Sequence, residues 1–254
     1  MGNIQTASPD TKQPVRIFWV ILATLGLFLF QQIASRSGVA FANIFNYRSI
    51  DPNGAFMWIS VHHIVQAIIA LALIFLFAKI LHLDFGFRPG KVALGLKCVG
   101  IVSAALFVYM IVSYIVGYSF DLVGPYGYPL NGRNIMGTLA FQLLLSGPSE
   151  EVLFRALPIT LLMFIMKKDT GKLISIEAVI AAFLFSIAHI NWSISSSGLS
   201  LQYDIVQLVF AFVLGTTQGV VFQKTGSVFY SMAIHSISNL LAVGGGYLIV
   251  LFIL

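Results

Sequence analysis

The chain has 254 residues, of which 58% are hydrophobic and only 9% are charged, and its mean hydropathy is +0.94. Soluble domains carry roughly a quarter charged residues, so this composition excludes a water-soluble globular domain and indicates an integral membrane protein. The formal net charge is +5, but the basic residues are scattered between hydrophobic runs, which argues against nucleic acid as a partner.

Long hydrophobic runs predict the helices. A membrane helix needs ~20 apolar residues to cross ~30 Å of hydrocarbon. The runs cover residues 15–34, 55–81, 92–120, 135–166, 174–190, 205–222 and 228–254. Gly244 to Gly246 could divide the last run into two spans. The sequence therefore predicts an all-α, polytopic membrane helix bundle of about seven to eight transmembrane helices.

Basic residues predict the orientation of the bundle. Most of them lie on the same side as the N-terminus, whereas Arg36, Arg48 and Arg133 fall on the other side. Because cytoplasmic loops carry the excess of Lys and Arg, we expect a cytoplasmic N-terminus, in the cell membrane if the protein is bacterial. The residues assigned to the inside are Lys12, Arg16, Lys79, Arg88, Lys91, Lys97, Lys167, Lys168, Lys172 and Lys224.

Breaker and small residues mark two of the runs. In the fourth run, Ser146 and Pro148 precede two glutamates. Serine is a good helix cap, proline suits a first turn, and glutamate is stabilised near a helix N-terminus, so we expect a kink or restart near Pro148. In the sixth run, Gly215 and Gly219 form a GxxxG pair, which predicts close approach of a neighbouring helix.

Five ionisable side chains lie well inside the hydrophobic runs: Glu150, Glu151, Arg155, His189 and His235. A charged side chain at the bilayer centre costs about 2.5 to 3.5 kcal/mol on insertion scales. Several in one small protein are unfavourable unless they face one another around a polar cavity. For them to meet, the fourth helix must tilt strongly or protrude from the membrane, because their distances from the presumed cytoplasmic end differ by ~13 Å.

Helical spacing predicts which side chains meet. Residues four apart share a face, so Glu151 can pair with Arg155, and Glu150, rotated by about 100°, is left free for chemistry. By the same spacing, Phe185 can pack beneath the imidazole of His189.

His235 and Asn239 are also four apart and can present hydrogen-bonding groups to a common point. A carboxylate and a histidine can hold and deprotonate a water. A second histidine and an asparagine amide can donate to the oxyanion that forms when this water attacks a carbonyl. This set is sufficient for peptide hydrolysis.

Other polar residues in the runs have simpler interpretations. Lys79, Lys97 and Glu177 lie near the ends of runs and are expected to reach the interface. His62 and His63 match no motif and are interpreted as interfacial or as lining a polar seam, so they are not assigned to the site.

The sequence resembles the CPBP family of intramembrane endopeptidases, which includes type II CAAX prenyl proteases and proteins linked to bacteriocin processing and self-immunity. The resemblance covers roughly residues 135–241 and rests on three ordered motifs. These are EExxxR at residues 150–155, FxxxH at 185–189 and HxxxN at 235–239. The stretch at 214–227 is also similar to the family's approach to its third motif.

The resemblance implies roles for these residues. Glu150 and His189 would activate the attacking water, and His235 with Asn239 would form the oxyanion hole. The supporting residues would be Glu151, Arg155 and Phe185. We favour a glutamate mechanism without a metal because HExxH, the helical zinc motif, does not occur. Zinc held by Glu150, His189 and His235 stays open as the alternative.

These expectations define the predicted function. It is an intramembrane endopeptidase that acts on a membrane-associated peptide or protein, prenylated or of the bacteriocin type, in contact with membrane lipid. The alternative is a non-enzymatic membrane immunity or scaffold protein that binds a peptide in the same cavity. The predicted divisions are a polar tail at residues 1–14, N-terminal transmembrane helices at 15–130 and a CPBP-like catalytic membrane core at 131–254.

Overall fold

The computed structural model describes residues 13–120, 124–166, 174–195 and 198–252. Of these residues, 77% are helical. Nearly all of the predicted tail at residues 1–14 lies outside the described residues. So do four lysines assigned to the cytoplasmic side, Lys12, Lys167, Lys168 and Lys172. The predicted orientation of the N-terminus therefore stays a prediction.

The helices follow the predicted hydrophobic runs closely. In chain order they are α1 at Gln13–Ala42, α2 at Met57–Leu81, α3 at Val92–Ser119, α4 at residues 132–166, α5 at Ile176–Ile187, α6 at Ile205–Thr225 and α7 at Val228–Phe252. Five of them, α1, α2, α3, α6 and α7, are long and apolar enough to cross a membrane. The protein is therefore an integral membrane protein, although the predicted count of seven to eight spans is not confirmed.

A kink or a restart was expected near Pro148, and helix α4 does not restart there but changes its winding. Two π-helical turns, Gln142–Ser146 and Val152–Ala156, flank a short α-helical turn at Gly147–Glu151 that contains Pro148. Because proline has no N–H and its ring crowds the preceding turn, a wider π turn accommodates it without ending the helix. The helix is about 50 Å long, so it must tilt or protrude from ~30 Å of hydrocarbon, as expected.

The fifth predicted span is shorter than expected. Helix α5 has 12 residues and is therefore about 18 Å long, too short to cross ~30 Å of hydrocarbon by itself. It is followed by a hairpin of strands β1, Asn191–Ser195, and β2, Gly198–Gln202, which pair antiparallel. These residues fall between the hydrophobic runs at 174–190 and 205–222, and no strand was predicted there. Glu177 was expected to reach the interface, but it lies in the first turn of α5 and is only 1% exposed.

Small residues on α6 let it pack closely against α5. A Cβ at Gly215 would lie 3.2 Å from the Cα of Ala182, and one at Gly219 would lie 2.9 Å from the Cβ of Ala178. These distances confirm the close approach predicted from the GxxxG pair. The glycines at 244–246, in contrast, do not divide α7, which is continuous.

One apolar core joins the N-terminal helices to the rest of the protein. Leu27 of α1 and Ile74 of α2 belong to the same buried cluster as Leu153 of α4 and Leu184 of α5. A second cluster joins α3, α6 and α7. Helix α4 therefore lies in the interior, where its polar residues are surrounded by other helices.

Asp51 fixes the start of helix α2. It lies in the loop after α1 and is only 3% exposed. Its carboxylate accepts hydrogen bonds of 2.8 Å from the backbone N–H groups of Ala55, Phe56 and Met57. Burial raises the pKa of this carboxyl, but the N–H donors outweigh burial and hold the pKa below its ordinary value of 3.8.

Replacing Asp51 with asparagine should destabilise the protein at neutral pH by about 1.5 to 3 kcal/mol, because a charged acceptor of three N–H groups is lost. The pKa is lower in the folded state, so this stabilisation is complete above the unfolded-state pKa of about 3.9 and disappears as pH falls through the folded-state pKa. The difference in unfolding temperature between wild type and Asp51→Asn, measured in detergent, should be smaller at acidic pH than at neutral pH. An equal difference at neutral and acidic pH would contradict this account.

Candidate active site

A polar cavity of about 350 Å³ lies between α1, α2, α4 and the segment that joins α5 to β1. Its rim includes the exposed residues Arg36, Ala188 and Asn191, so it opens to the surface there. Glu150 of α4 and His189, just after α5, both line it. Three of the predicted site residues, Glu150, His189 and the supporting Phe185, therefore line one cavity, whereas His235 and Asn239 do not.

Glu150 is the carboxylate that reaches this cavity. Its side chain is 17% exposed, and Oε1 accepts a hydrogen bond of 3.2 Å from the Ser146 hydroxyl, one turn earlier on α4. The Nδ1 atom of His63 lies 3.8 Å from Oε1, and Nε2 of His235 lies 3.6 Å from Oε2. Glu150 is thus held from three sides and keeps access to the cavity.

The neighbouring carboxylate, Glu151, is completely buried and anchors the site. Its Oε1 lies 3.0 Å from Nη1 of Arg155, which confirms the ion pair predicted from helical spacing. Arg155 also donates to the Gln218 side chain of α6, and its guanidinium lies 4.1 Å from the ring centre of Phe185. Both charged groups are fully buried within α4. The contacts of Arg155 with Phe185 and Gln218 fix α4 against α5 and α6.

The ring of His189 is oriented by the end of helix α5. Its Nδ1 lies 2.9 Å from the backbone carbonyl oxygen of Phe185, and the two rings make an edge contact with centres 4.8 Å apart. A carbonyl oxygen only accepts, so Nδ1 carries the proton in this contact, and in the neutral ring Nε2 is an acceptor. His189 therefore presents a proton acceptor in the cavity that Glu150 lines.

His235 lies between the two glutamates. Its Nδ1 is 2.7 Å from Oε1 of Glu151, and its Nε2 approaches Glu150. An ionised carboxylate only accepts, so Nδ1 donates to Glu151. For Nε2 to donate a hydrogen bond in addition to Nδ1, the ring must be in its doubly protonated imidazolium form.

Asn239 reaches the same carboxylate indirectly. Its Nδ2 donates to the Ser146 hydroxyl over 3.0 Å, and that hydroxyl donates to Glu150. The common point predicted for His235 and Asn239 is thus Glu150, which His235 approaches directly and Asn239 approaches through Ser146.

His62 and His63 were interpreted as interfacial or as lining a polar seam, and both line the cavity. His63 makes a hydrogen bond of 2.9 Å with Ser149 in addition to its approach to Glu150. No motif includes these histidines. The available signal was their spacing from Gln66, since the three residues place polar groups on one side of an otherwise apolar helix.

Helix α1 supplies cavity residues that the sequence interpretation also missed. Gln31 and Arg36 line the cavity, and Arg36 lies over the Trp192 ring of β1, 4.4 Å from its centre. Arg36 had been used only as a topology signal. Polar residues near the end of the first run were the available sign, but the sequence does not indicate which helix they meet.

The described residues contain no group of three His, Cys, Asp or Glu side chains arranged to hold a metal ion. One ring nitrogen of His189 and one of His235 are occupied by protein contacts. These contacts occupy Nδ1 and leave Nε2 of both rings for a metal, as is usual for zinc-bound histidines, so zinc held by Glu150, His189 and His235 stays the alternative.

Comparison with known proteins identifies the segment that carries the motifs. Residues 132–241 match the family model described as type II CAAX prenyl endopeptidase Rce1-like, and the match includes all three motifs. No curated protein and no solved structure matches the chain. The resemblance to the CPBP family predicted from the motifs is thus confirmed by the match of residues 132–241 to the Rce1-like family model.

Proposed function

We propose that the protein is an intramembrane endopeptidase that hydrolyses a peptide bond of a membrane-associated substrate. The observation that carries this proposal is that Glu150 and His189 line the same polar cavity within a bundle of apolar helices. A carboxylate beside an imidazole acceptor is a suitable set for activating water. The family match supports peptide hydrolysis as the reaction.

In the proposed reaction, a water molecule lies between Glu150 and His189. Glu150 takes a proton from this water while the oxygen bonds to the carbonyl carbon of the peptide. The tetrahedral intermediate collapses when the C–N bond breaks and the protonated Glu150 gives its proton to the leaving nitrogen. His189 accepts a hydrogen bond at Nε2 and orients the water throughout.

We assign His235 and Asn239 to stabilisation of the oxyanion. His235 can donate from Nε2 only as the imidazolium, because its Nδ1 already donates to Glu151. Asn239 must first release Ser146, which it contacts in this structure. Both donors would then turn toward the negative charge that develops on the substrate oxygen.

Asn239→Ala should lower kcat by about 10²- to 10³-fold with little change in KM, because an oxyanion donor acts mainly in the transition state. Ser146→Ala is the matched comparison, since it removes the hydroxyl that links Asn239 to Glu150. Steady-state kinetics on one peptide should show a much smaller loss for Ser146→Ala. Equal losses would show that Asn239 acts only by positioning Glu150.

The direct test of function uses purified protein in liposomes with a library of membrane-associated peptides. The library should include prenylated peptides and bacteriocin-type leader peptides, because the substrate is proposed only by class. Mass spectrometry would identify new termini, with Glu150→Ala protein as the blank. No hydrolysis beyond the blank would favour a non-enzymatic protein that binds a peptide in the cavity.

Metal dependence can be decided separately. The proposed glutamate mechanism predicts that chelation leaves cleavage unchanged and that elemental analysis finds less than one zinc per chain. Stoichiometric zinc whose removal abolishes cleavage, and whose return restores it, would overturn the metal-free mechanism.

The natural substrate can be sought in cells. Membrane-peptide profiles of cells that carry the native protein or the Glu150→Ala form should differ in the substrate and its products. Prenylated termini among the products would indicate CAAX-type processing, whereas leader peptides would indicate bacteriocin processing.

A further inference from the structure

We propose that Arg36 binds a carboxylate group of the substrate, so that the cavity wall formed by α1 and α2 selects anionic peptides. For the cleavage measurements this inference rests on the proposed function, but binding can be measured without it. The wall lies outside residues 132–241, the segment matched by the family model.

Arg36 is a cation whose position is fixed but whose charge is unpaired. The Trp192 ring holds its guanidinium at 4.4 Å from the ring centre. Across the described ranges, no carboxylate lies within ion-pair distance of it. A guanidinium matches a carboxylate with two parallel hydrogen bonds, so Arg36 can take one without a change in its stacking.

The same wall contains two polar side chains with an unpaired atom. Within the described residues, Nε2 of Gln31 and Nδ1 of His62 are buried without a hydrogen-bond partner. Gln31 is only 3% exposed and His62 only 8%, and both line the cavity. Both atoms are enclosed, and Nδ1 of His62 lies 3.0 Å from where a Cβ at Gly38 would be, so either atom meets a bound peptide only after its side chain turns.

The charges in the cavity set the direction of the bound peptide. Among the described residues that line it, Arg36 is the one permanent cation, and Glu150 supplies a carboxylate. A carboxylate on the substrate is therefore attracted to Arg36 and repelled by Glu150. The scissile carbonyl can then approach Glu150 while the anionic group lies beside Trp192.

The test compares matched peptides that carry the carboxylate in different places. One has a free C-terminal carboxylate, the second is the same peptide as its C-terminal amide, and the third is an amide with one glutamine replaced by glutamate. Wild type should prefer one carboxylate peptide over the neutral amide by about 10- to 100-fold in kcat/KM, as expected for a charge-assisted hydrogen bond. The preferred form identifies the source of the carboxylate.

Arg36→Gln should reduce the ratio of kcat/KM for the carboxylate peptide to kcat/KM for the amide peptide to about one, mainly through a higher KM for the carboxylate peptide. Arg36→Lys should retain only part of it, because a lysine keeps the charge and loses the planar pair of donors. Arg48→Gln is the matched control, since Arg48 is exposed in the loop after α1 and does not line the cavity. It should keep the full preference.

Binding of labelled peptides to Glu150→Gln protein in nanodiscs separates this inference from the proposed function. Tighter binding of a carboxylate peptide that is lost in the Glu150→Gln, Arg36→Gln double variant supports the inference even if wild type cleaves nothing. Equal binding of carboxylate and amide peptides, or a preference that survives Arg36→Gln, would overturn it even if cleavage is observed.

Discussion

Replacing Glu150 with glutamine should lower kcat by at least 10²- to 10⁴-fold while the protein stays folded. Glutamine has the same shape, and its amide oxygen can still accept the hydrogen bond from Ser146. It cannot, however, take a proton from water at neutral pH. Cleavage of the best peptide from the library, measured in liposomes, should therefore fall to the level of the blank.

Two controls make this result specific. Asp84→Asn removes a carboxylate that is half exposed and paired with Arg88 at the surface, so it should cleave like wild type. Thermal unfolding of Glu150→Gln should match wild type to within a few degrees. Substantial cleavage by folded Glu150→Gln protein would rule out Glu150 as the base.

Replacing Arg155 with methionine should destabilise the protein by about 3 to 5 kcal/mol, the cost of leaving a buried charge without its partner. Arg155 and Glu151 have no exposed side-chain surface, so water cannot solvate the remaining carboxylate. Arg155→Met also leaves Gln218 and the Phe185 ring without their cationic partner. Thermal unfolding in detergent measures the loss.

Arg88→Met is the matched control for this change. Arg88 pairs with Asp84 over 2.9 Å, but its side chain is 64% exposed, so its loss should change stability by less than about 1 kcal/mol. The double variant Glu151→Met, Arg155→Met should recover part of the stability, because no buried charge is left unpaired. Equal effects of Arg155→Met and Arg88→Met would contradict the anchoring role given to the buried pair.

The helices and the ion pair could be predicted because they depend on local sequence. Hydrophobic runs gave most helix ends to within a few residues, since a lipid-exposed helix must be apolar along its length. The spacing of Glu151 and Arg155 predicted their contact because both lie on one helix. The exception was α1, which continues to Ala42, eight residues past its apolar run at 15–34.

The rest of the site depends on contacts between helices that are distant in sequence. His63 and Arg36 approach the cavity only because α1 and α2 pack against α4, and nothing in their own runs specifies that packing. The contact of Asn239 with Ser146 likewise depends on how α7 meets α4. The hairpin after α5 was missed although it had a local signal: both five-residue strands, NWSIS and GLSLQ, alternate apolar residues with polar residues or glycine.

The two π turns of α4 decide where this helix tolerates a change in length. A π turn holds one residue more than an α-helical turn and absorbs it by wider winding. Deleting a residue from 142–146 would let the turn return to regular winding and leave the later side chains on nearly the same faces. A deletion in the regular stretch at 132–141 has no extra residue to absorb it, so it would swing every later side chain by about 100° and carry both glutamates away from Asn239 and His235.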